Sequence, residues 1–406
     1  MPRQFPTPGP ANYAVGSTDF RYRQAPLRPY RLPSGNAVLT RLVQKFRPVR
    51  KAHTAYLDDV ARELEVPHGK TLLQAALDAG IDFPHHCTVG TCGTCRCRLL
   101  DGKVQPILDF SYTLSKPEID NGYILACQAL LKSEIRIAVE LGEVPTHPYA
   151  DYAAVICDMR PLTPSIMEMT VELDRPMHYT AGQFADLRPH HLDRHRSYSF
   201  ADACPLAGST KLRFHVRQVS GGAFTDWLFG ADRRGEALAV RGPSGNFWLR
   251  AASAPLICVA GGTGMAPILA LLNHAAARRV RRPVTYLYGA RTQADLYALA
   301  DIKALQARWP TGFSFMPVLS EEPANSDWPG ARGLVSDFLT SPTLANTVGS
   351  AHCYLCGPPA MIDSALAVLQ THGVSVEAIH YDKFLDTRQL AAVARDDCAY
   401  LTGRTA

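Results

Sequence analysis

The sequence predicts a multidomain chain of mixed α+β and α/β class, and three observations predict it. A cysteine-dense loop is flanked by short strands, a central stretch alternates apolar and polar residues, and the last third repeats strand, glycine turn and helix. At 406 residues the chain is too long for one core. Hydrophobic residues make up 47% and charged residues 19%, so most of it should fold. No run reaches the roughly 18 apolar residues of a membrane-spanning helix, and the Pro- and Arg-rich start carries no signal-peptide core, so a cytoplasmic protein is expected.

Residues 1–51 hold ten basic side chains against Asp19 alone, a net +9 that leaves the rest of the chain at −4 within the total of +5. With its Pro and Gly content, this segment reads as an extended N-terminal arm. Its charge suits an acidic protein partner or an anionic membrane surface; no nucleic-acid partner is expected.

In residues 52–143, "HTAYLDDVARELEVPHG" reads as two strands and "TLLQAALDAG" as a short helix ending at Gly80. Cys87, Cys92 and Cys95 then follow the spacing C-x4-C-x2-C, and 31 residues separate Cys95 from Cys127. This is the plant-type spacing for four thiolates holding a 2Fe-2S cluster. Gly90 and Gly93 let backbone amides approach bridging sulfides, and Thr88, Thr91 and Thr94 keep the loop compact. Structural zinc favours separated pairs of C-x2-C units, and in this part of the chain only Cys92 and Cys95 form one. Cys97 reads as a bystander at the start of a strand.

A Pro-containing linker leads into residues 150–250, where Met167, Met169, Val171 and Leu173 alternate with Glu168, Thr170 and Glu172. That alternation predicts a half-buried strand with the glutamates outward, and the short strands around it predict an antiparallel barrel. Arg196, Tyr198 and Ser199 supply a cation for a pyrophosphate, a ring that can stack on an isoalloxazine, and a hydroxyl that can bond it. Gly221 and Gly222 open a helix with Thr225 in its first turn, and helix N-termini attract phosphate.

Residues 251–387 alternate strands and helices, predicting a doubly wound parallel sheet with ligands at the strand carboxyl ends. Two glycine turns fall there. Gly261, Gly262, Thr263 and Gly264 form one; Cys356, Gly357 and Pro358 begin the other. After the second strand only Arg291 precedes Asp295, whereas a 2'-phosphate calls for more basic groups, so NADH is favoured over NADPH. Residues 388–406 form a C-terminal tail.

These motifs carry a resemblance. The cysteine spacing with "ILACQ" resembles the β-grasp ferredoxin domain of bacterial oxygenase reductases. R-x-Y-S with G-G-x-x-T is similar to the FAD domain of the ferredoxin-NADP reductase superfamily, with Thr225 in place of its usual serine. The paired glycine turns are similar to that superfamily's NAD(P)H domain. "AIHYDKFLD" resembles the close of the benzoate dioxygenase reductase and monooxygenase reductase type, with Asp382 in place of the usual glutamate. The resemblance implies an electron path from NADH through FAD and a 2Fe-2S cluster to a terminal Rieske or di-iron oxygenase of aromatic or hydrocarbon catabolism. It implies Cys87, Cys92, Cys95 and Cys127 as cluster ligands and Arg196, Tyr198, Ser199, Gly221, Gly222 and Thr225 at FAD. It places Gly261, Gly262, Thr263 and Gly264 at the dinucleotide, Cys356, Gly357 and Pro358 near the nicotinamide, and Phe384 against the flavin or nicotinamide face, with Tyr198, Ser199, Cys356 and Phe384 at the transfer centre. The same modules also resemble iron-sulfur flavoreductases that feed a deoxysugar-biosynthesis dehydratase.

Overall fold

A computed structural model describes residues 52–81, 83–85, 88, 90, 93–139, 147–342 and 344–384. The arm of residues 1–51, the tail of 388–406, Cys87 and Cys92 lie outside the described residues.

The first module contains β1 (His53–Leu57), β2 (Arg62–Val66), α1 (Leu72–Asp78), β3 (Arg96–Asp101), β4 (Val104–Pro106), α2 (Lys116–Asp120), β5 (Tyr123–Leu125), β6 (Ala129–Leu131) and β7 (Ile135–Ala138). Its main sheet runs in the order β2-β1-β7-β3-β5, with β1 and β7 parallel and the other pairs antiparallel. Helix α1 is started by Thr71, whose Oγ1 accepts from the Gln74 amide at 3.2 Å. It buries Leu72, Leu73, Ala75 and Ala76. The buried core of this module draws every member from residues 55–139.

The second module is an antiparallel sheet of β8 (Ala150–Thr163), β9 (Ile166–Met177), β10 (Phe184–Pro189), β11 (Arg196–Ser199), β12 (Ser209–Arg217) and β13 (Ala237–Ser244), with α3 (Ala223–Gly230) after β12. Its order is β11-β10-β13-β8-β9-β12, and a single antiparallel bridge, Phe200 to Phe214, joins its two edges into a barrel. One expectation fails here. Glu168 on β9 is only 7% exposed, because Arg160 of β8 and Arg213 and His215 of β12 surround its carboxylate. Alternation counts polarity and cannot register cations arriving from neighbouring strands.

The third module has β14 (Leu256–Gly261), α4 (Met265–Ala277), β15 (Val284–Ala290), α5 (Leu299–Arg308), β16 (Phe313–Leu319), β17 (Ala331–Arg332), β18 (His352–Gly357), α6 (Pro359–Thr371) and β19 (Ile379–Lys383). All pairs are parallel, in the order β17-β16-β15-β14-β18-β19. β14 is buried throughout, as a central strand covered on both faces must be. The direction of winding reverses between β14 and β18. Both predicted glycine turns leave the carboxyl ends of these two neighbours, which is where such sheets open a crevice.

Candidate functional site

The cysteine loop brings Cys95, just before β3, against Cys127, in the turn Ala126–Gln128. Both are buried. The Cys127 amide donates to Cys95 Sγ at 3.4 Å, and Gln128 Nε2 lies 3.6 Å from Cys127 Sγ and 3.3 Å from the Thr88 carbonyl. Gly90 has φ +85°, and a side chain there would meet Gln128 Cγ at 2.8 Å, so the loop closes this tightly only with glycine. Two buried sulfurs with amide groups aimed at them form a donor set that fits thiolates of an iron-sulfur cluster. Cys97 lies in the apolar core on β3, and burial pushes its thiol well above the usual range.

Strand β11 presents Tyr198 half-buried, its ring 5.0 Å from that of Phe224, and Ser199 buried opposite Phe184 of β10. Asp382 of β19 reaches Ser199 from the third module. Burial pushes its carboxyl up to about 7, against the Ser199 hydrogen bond, which lowers it. The Arg196 guanidinium bonds its neighbour's carbonyl through Nη1 at 2.8 Å. Thr225 turns into its own loop: Oγ1 lies 2.9 Å from the Val219 carbonyl and 3.1 Å from the Gly222 carbonyl, tying down the Gly221–Gly222 loop. A side chain at Gly222 would meet that hydroxyl at 2.6 Å. A bare loop before a helix, a half-buried aromatic and a hydroxyl beside a carboxyl fit a flavin nucleotide.

Gly261, Gly262 and Pro358 line a cavity of about 290 Å3 together with Tyr288, Arg291 and Asp295. Thr263 and Gly264 do not reach it; a side chain on Gly264 would collide with the Cys356 carbonyl, so this glycine lets the two turns touch. Gly357, at φ +144°, packs on Gly261 in the same way. Cys356 is fully buried, and burial, then the neighbouring Asp382, push its thiol well above its usual range. That thiol is no nucleophile. The Phe384 amide donates to the Gly357 carbonyl at 2.9 Å, and its half-buried side chain packs beside this core. The glycine-lined cavity fits a dinucleotide.

Several residues went unnoticed in the sequence. Arg217, which lines the nucleotide cavity beside Gly262, immediately precedes "QVSGG", and that adjacency was the available signal. His215 bonds Tyr297 at 3.2 Å, and Tyr297 donates to the Gly262 carbonyl at 3.2 Å, linking buried Glu168 to the nucleotide turn. The His215 hydrogen bond, followed by the Arg160 hydrogen bond and the Arg213 charge, holds Glu168 down at about 2 against the effect of burial.

Three family models cover the chain in this order: the 2Fe-2S iron-sulfur cluster binding domain over residues 55–132, the oxidoreductase FAD-binding domain over 154–248 and the oxidoreductase NAD-binding domain over 258–366. The xylene/toluene monooxygenase electron transfer component XylA of Pseudomonas putida is 40% identical over 79% of this chain and 91% of its own length. The chain belongs to the iron-sulfur flavoprotein reductase family of oxygenase systems. The reductase component DmpP of phenol 2-monooxygenase from a Pseudomonas strain is 32% identical over 82% of this chain and 94% of its own. The crystal structure of the Amycolatopsis cytochrome P450 reductase GcoB covers 82% of this chain and 98% of its own at 32% identity, with a TM-score of 0.62. The ferredoxin reductase in carbazole 1,9a-dioxygenase gives 0.58 at 27% identity, covering 82% and 99%. As a member of this family, the chain is an NAD(P)H-dependent flavoprotein oxidoreductase that transfers electrons through FAD and 2Fe-2S modules. Among the described residues no helix is long and apolar enough to cross a membrane.

Proposed function

We propose that this reductase draws its electrons from NADH in preference to NADPH and delivers them to a terminal oxygenase of the Rieske or di-iron type. The observation that carries the internal path is the convergence at Asp382. This residue bonds Ser199 of the barrel, pairs in register with Cys356 at the nucleotide turn, and lines a small cavity together with Gly93 of the cysteine loop and Phe184. One side chain thus stands where all three modules meet.

When bound, FAD accepts the electron pair of a hydride and releases electrons singly, as a 2Fe-2S cluster requires. The chain's own residues supply the rest. Cys95 and Cys127 hold the cluster side, in line with the ligand set that includes Cys87 and Cys92. Tyr198 and Ser199 orient the flavin, with Arg196 and the Gly221–Gly222 loop toward its pyrophosphate. Gly261, Gly262, Pro358 and Arg217 receive the dinucleotide. A carboxyl titrating near 7, hydrogen-bonded to Ser199 Oγ, can hold a proton at Asp382 and release it when the electrons leave one by one.

The preference for NADH rests on the rim beyond β15. Arg291 is tied to Asp295 at 2.9 Å, and Gln293 binds Glu322 and Asp327, each at 2.9 Å. At this rim a 2'-phosphate would meet the carboxylates of Asp295, Glu322 and Asp327, and the nearby Arg291 is already paired. The kcat/KM for NADH should exceed that for NADPH at least tenfold; equal values would remove this part. For the acceptor, the support is the likeness to XylA and DmpP; nothing observed favours a dehydratase. The test is reconstitution with candidate oxygenases, scoring NADH consumed against product formed. A tight ratio with one oxygenase supports the assignment, and NADH oxidation without product from any of them contradicts it. Deleting residues 2–50 should spare NADH oxidation and weaken that coupling most at low salt, if the basic arm meets an acidic oxygenase.

A further inference from the structure

We propose that Glu118 and Tyr381 are positioning residues that hold the cysteine-loop module at its electron-receiving distance from the flavin. The proposal rests on the relay described above and adds which contact sets its geometry.

The first module brings a closed apolar core, so its attachment to the rest depends on the contacts at its edge. The central one is polar and out of water. Glu118 of α2 is 1% exposed. One carboxylate oxygen accepts from the Tyr381 hydroxyl of β19, from the Ser115 amide at 2.8 Å and from Ser115 Oγ at 2.7 Å. The other accepts from Arg96 Nη1. The Tyr381 hydroxyl also lies 3.2 Å from the Thr113 carbonyl and from the Ser115 amide. Burial, then the Glu118 charge, hold Tyr381 above the usual phenol range, which keeps it a donor.

Two features of chain connectivity turn this contact into a ruler. Arg96 directly follows Cys95, so the ion pair grips the backbone that carries a cluster ligand. Tyr381 directly precedes Asp382, and successive side chains of a strand point to opposite faces. Tyr381 reaches the cysteine-loop module, whereas Asp382 reaches Ser199 of the flavin strand. The span between the two redox sides is therefore fixed through one peptide unit and two hydrogen-bonded side chains. Electron tunnelling falls steeply with distance, so a module that swings away receives electrons slowly even with all its ligands intact.

The test uses full-length, cofactor-loaded protein and the variants Tyr381→Phe and Glu118→Gln. Wild type should reduce two ferric cytochrome c per NADH, yielding NAD+ and one proton. Tyr381→Phe should lower the cytochrome c rate about tenfold, with NADH-to-ferricyanide rate and flavin content unchanged. The second readout is amide hydrogen exchange. Peptides spanning 113–120 and 379–383 should exchange at least tenfold faster in Tyr381→Phe, with or without cofactors. Glu118→Gln should reproduce both effects, and the double variant should add nothing further, as for partners in one contact. Unchanged exchange together with an unchanged cytochrome c rate overturns the proposal. Equal loss of ferricyanide and cytochrome c activity also overturns it, because the damage then lies before the cluster. A wild type that cannot reduce cytochrome c contradicts the relay itself, while exchange still decides whether the contact holds the module.

Discussion

Two buried glutamates stand at two joints of this molecule, and they do different work. Glu168 lies where the barrel meets the nucleotide module, and Glu118 where the cysteine-loop module meets β19. Around Glu168 the joint is also apolar: Ile166 and Phe247 share one buried core with Leu256, Met265 and Tyr354. Around Glu118 no buried core is shared among the described residues. The buried core of the cysteine-loop module holds residues of that module alone, and it meets its neighbour through Glu118 with Tyr381 and, at the rim, through Arg98 and Tyr123 with Glu377. The lesson is that the flavin and nucleotide sites share one buried core, while the cysteine-loop module carries a core of its own and is joined to β19 by hydrogen bonds. That suits a chain whose last electron must leave for another protein.

Substitutions can break this contrast, beginning with the largest effect. Phe247→Ala removes a buried ring, 5.9 Å from Tyr354, from the shared core. It should cost about 3–5 kcal/mol and release flavin, leaving the cysteine-loop absorbance in place. Chemical unfolding followed at both chromophores checks this; simultaneous loss of both signals would join the two bodies into one. Glu168→Gln should cost about 2 kcal/mol at pH 7. Because the Glu168 carboxyl is held at about 2, below its ordinary value of 4.5, its contribution is full above 4.5, shrinks as the pH falls and is gone near 2. Unfolding of wild type and variant at pH 7, 4 and 3 should therefore converge downward.

Asp382 has the opposite sign. Its carboxyl is raised to about 7 from an ordinary 3.8, so ionising it opposes folding: the native advantage is full below 3.8 and lost as pH rises through 7. Asp382→Asn should match wild type in stability near pH 4 and exceed it at pH 8, while slowing NADH oxidation. A variant less stable than wild type at pH 8 would mean the carboxylate is welcomed there. The smallest effect belongs to the rim of the separable joint. Glu377→Ala, removing a 4.0 Å ion pair with Arg98, should change stability by less than about 0.5 kcal/mol.

Much of this was legible in the sequence because it depends on local pattern. The cysteine spacing, the strand–glycine–helix rhythm and R-x-Y-S each encode a short element, and the sheets appear where that rhythm puts them. The two glycine turns at the ends of β14 and β18 were also readable, although Gly264 and Gly357 are required by close approach to Cys356 and Gly261, and of the turn glycines only Gly261 and Gly262 line the cavity. The joints were not readable. Glu118 and Tyr381 are 263 positions apart, and Glu168 receives Arg213 and His215 from a strand whose pairing no local pattern reports. The local hydrogen bonds of Thr225 to its own loop were not readable either, because only the folded backbone reveals them.

The most direct test of the relay is an anaerobic titration of the loaded, full-length protein with NADH, following flavin absorbance and the paramagnetic signal of a reduced 2Fe-2S cluster in the same sample. The account predicts that the flavin bleaches and the cluster signal rises together in wild type, and that Cys95→Ser bleaches with no cluster signal. Bleaching in wild type with the cluster left oxidised would contradict it.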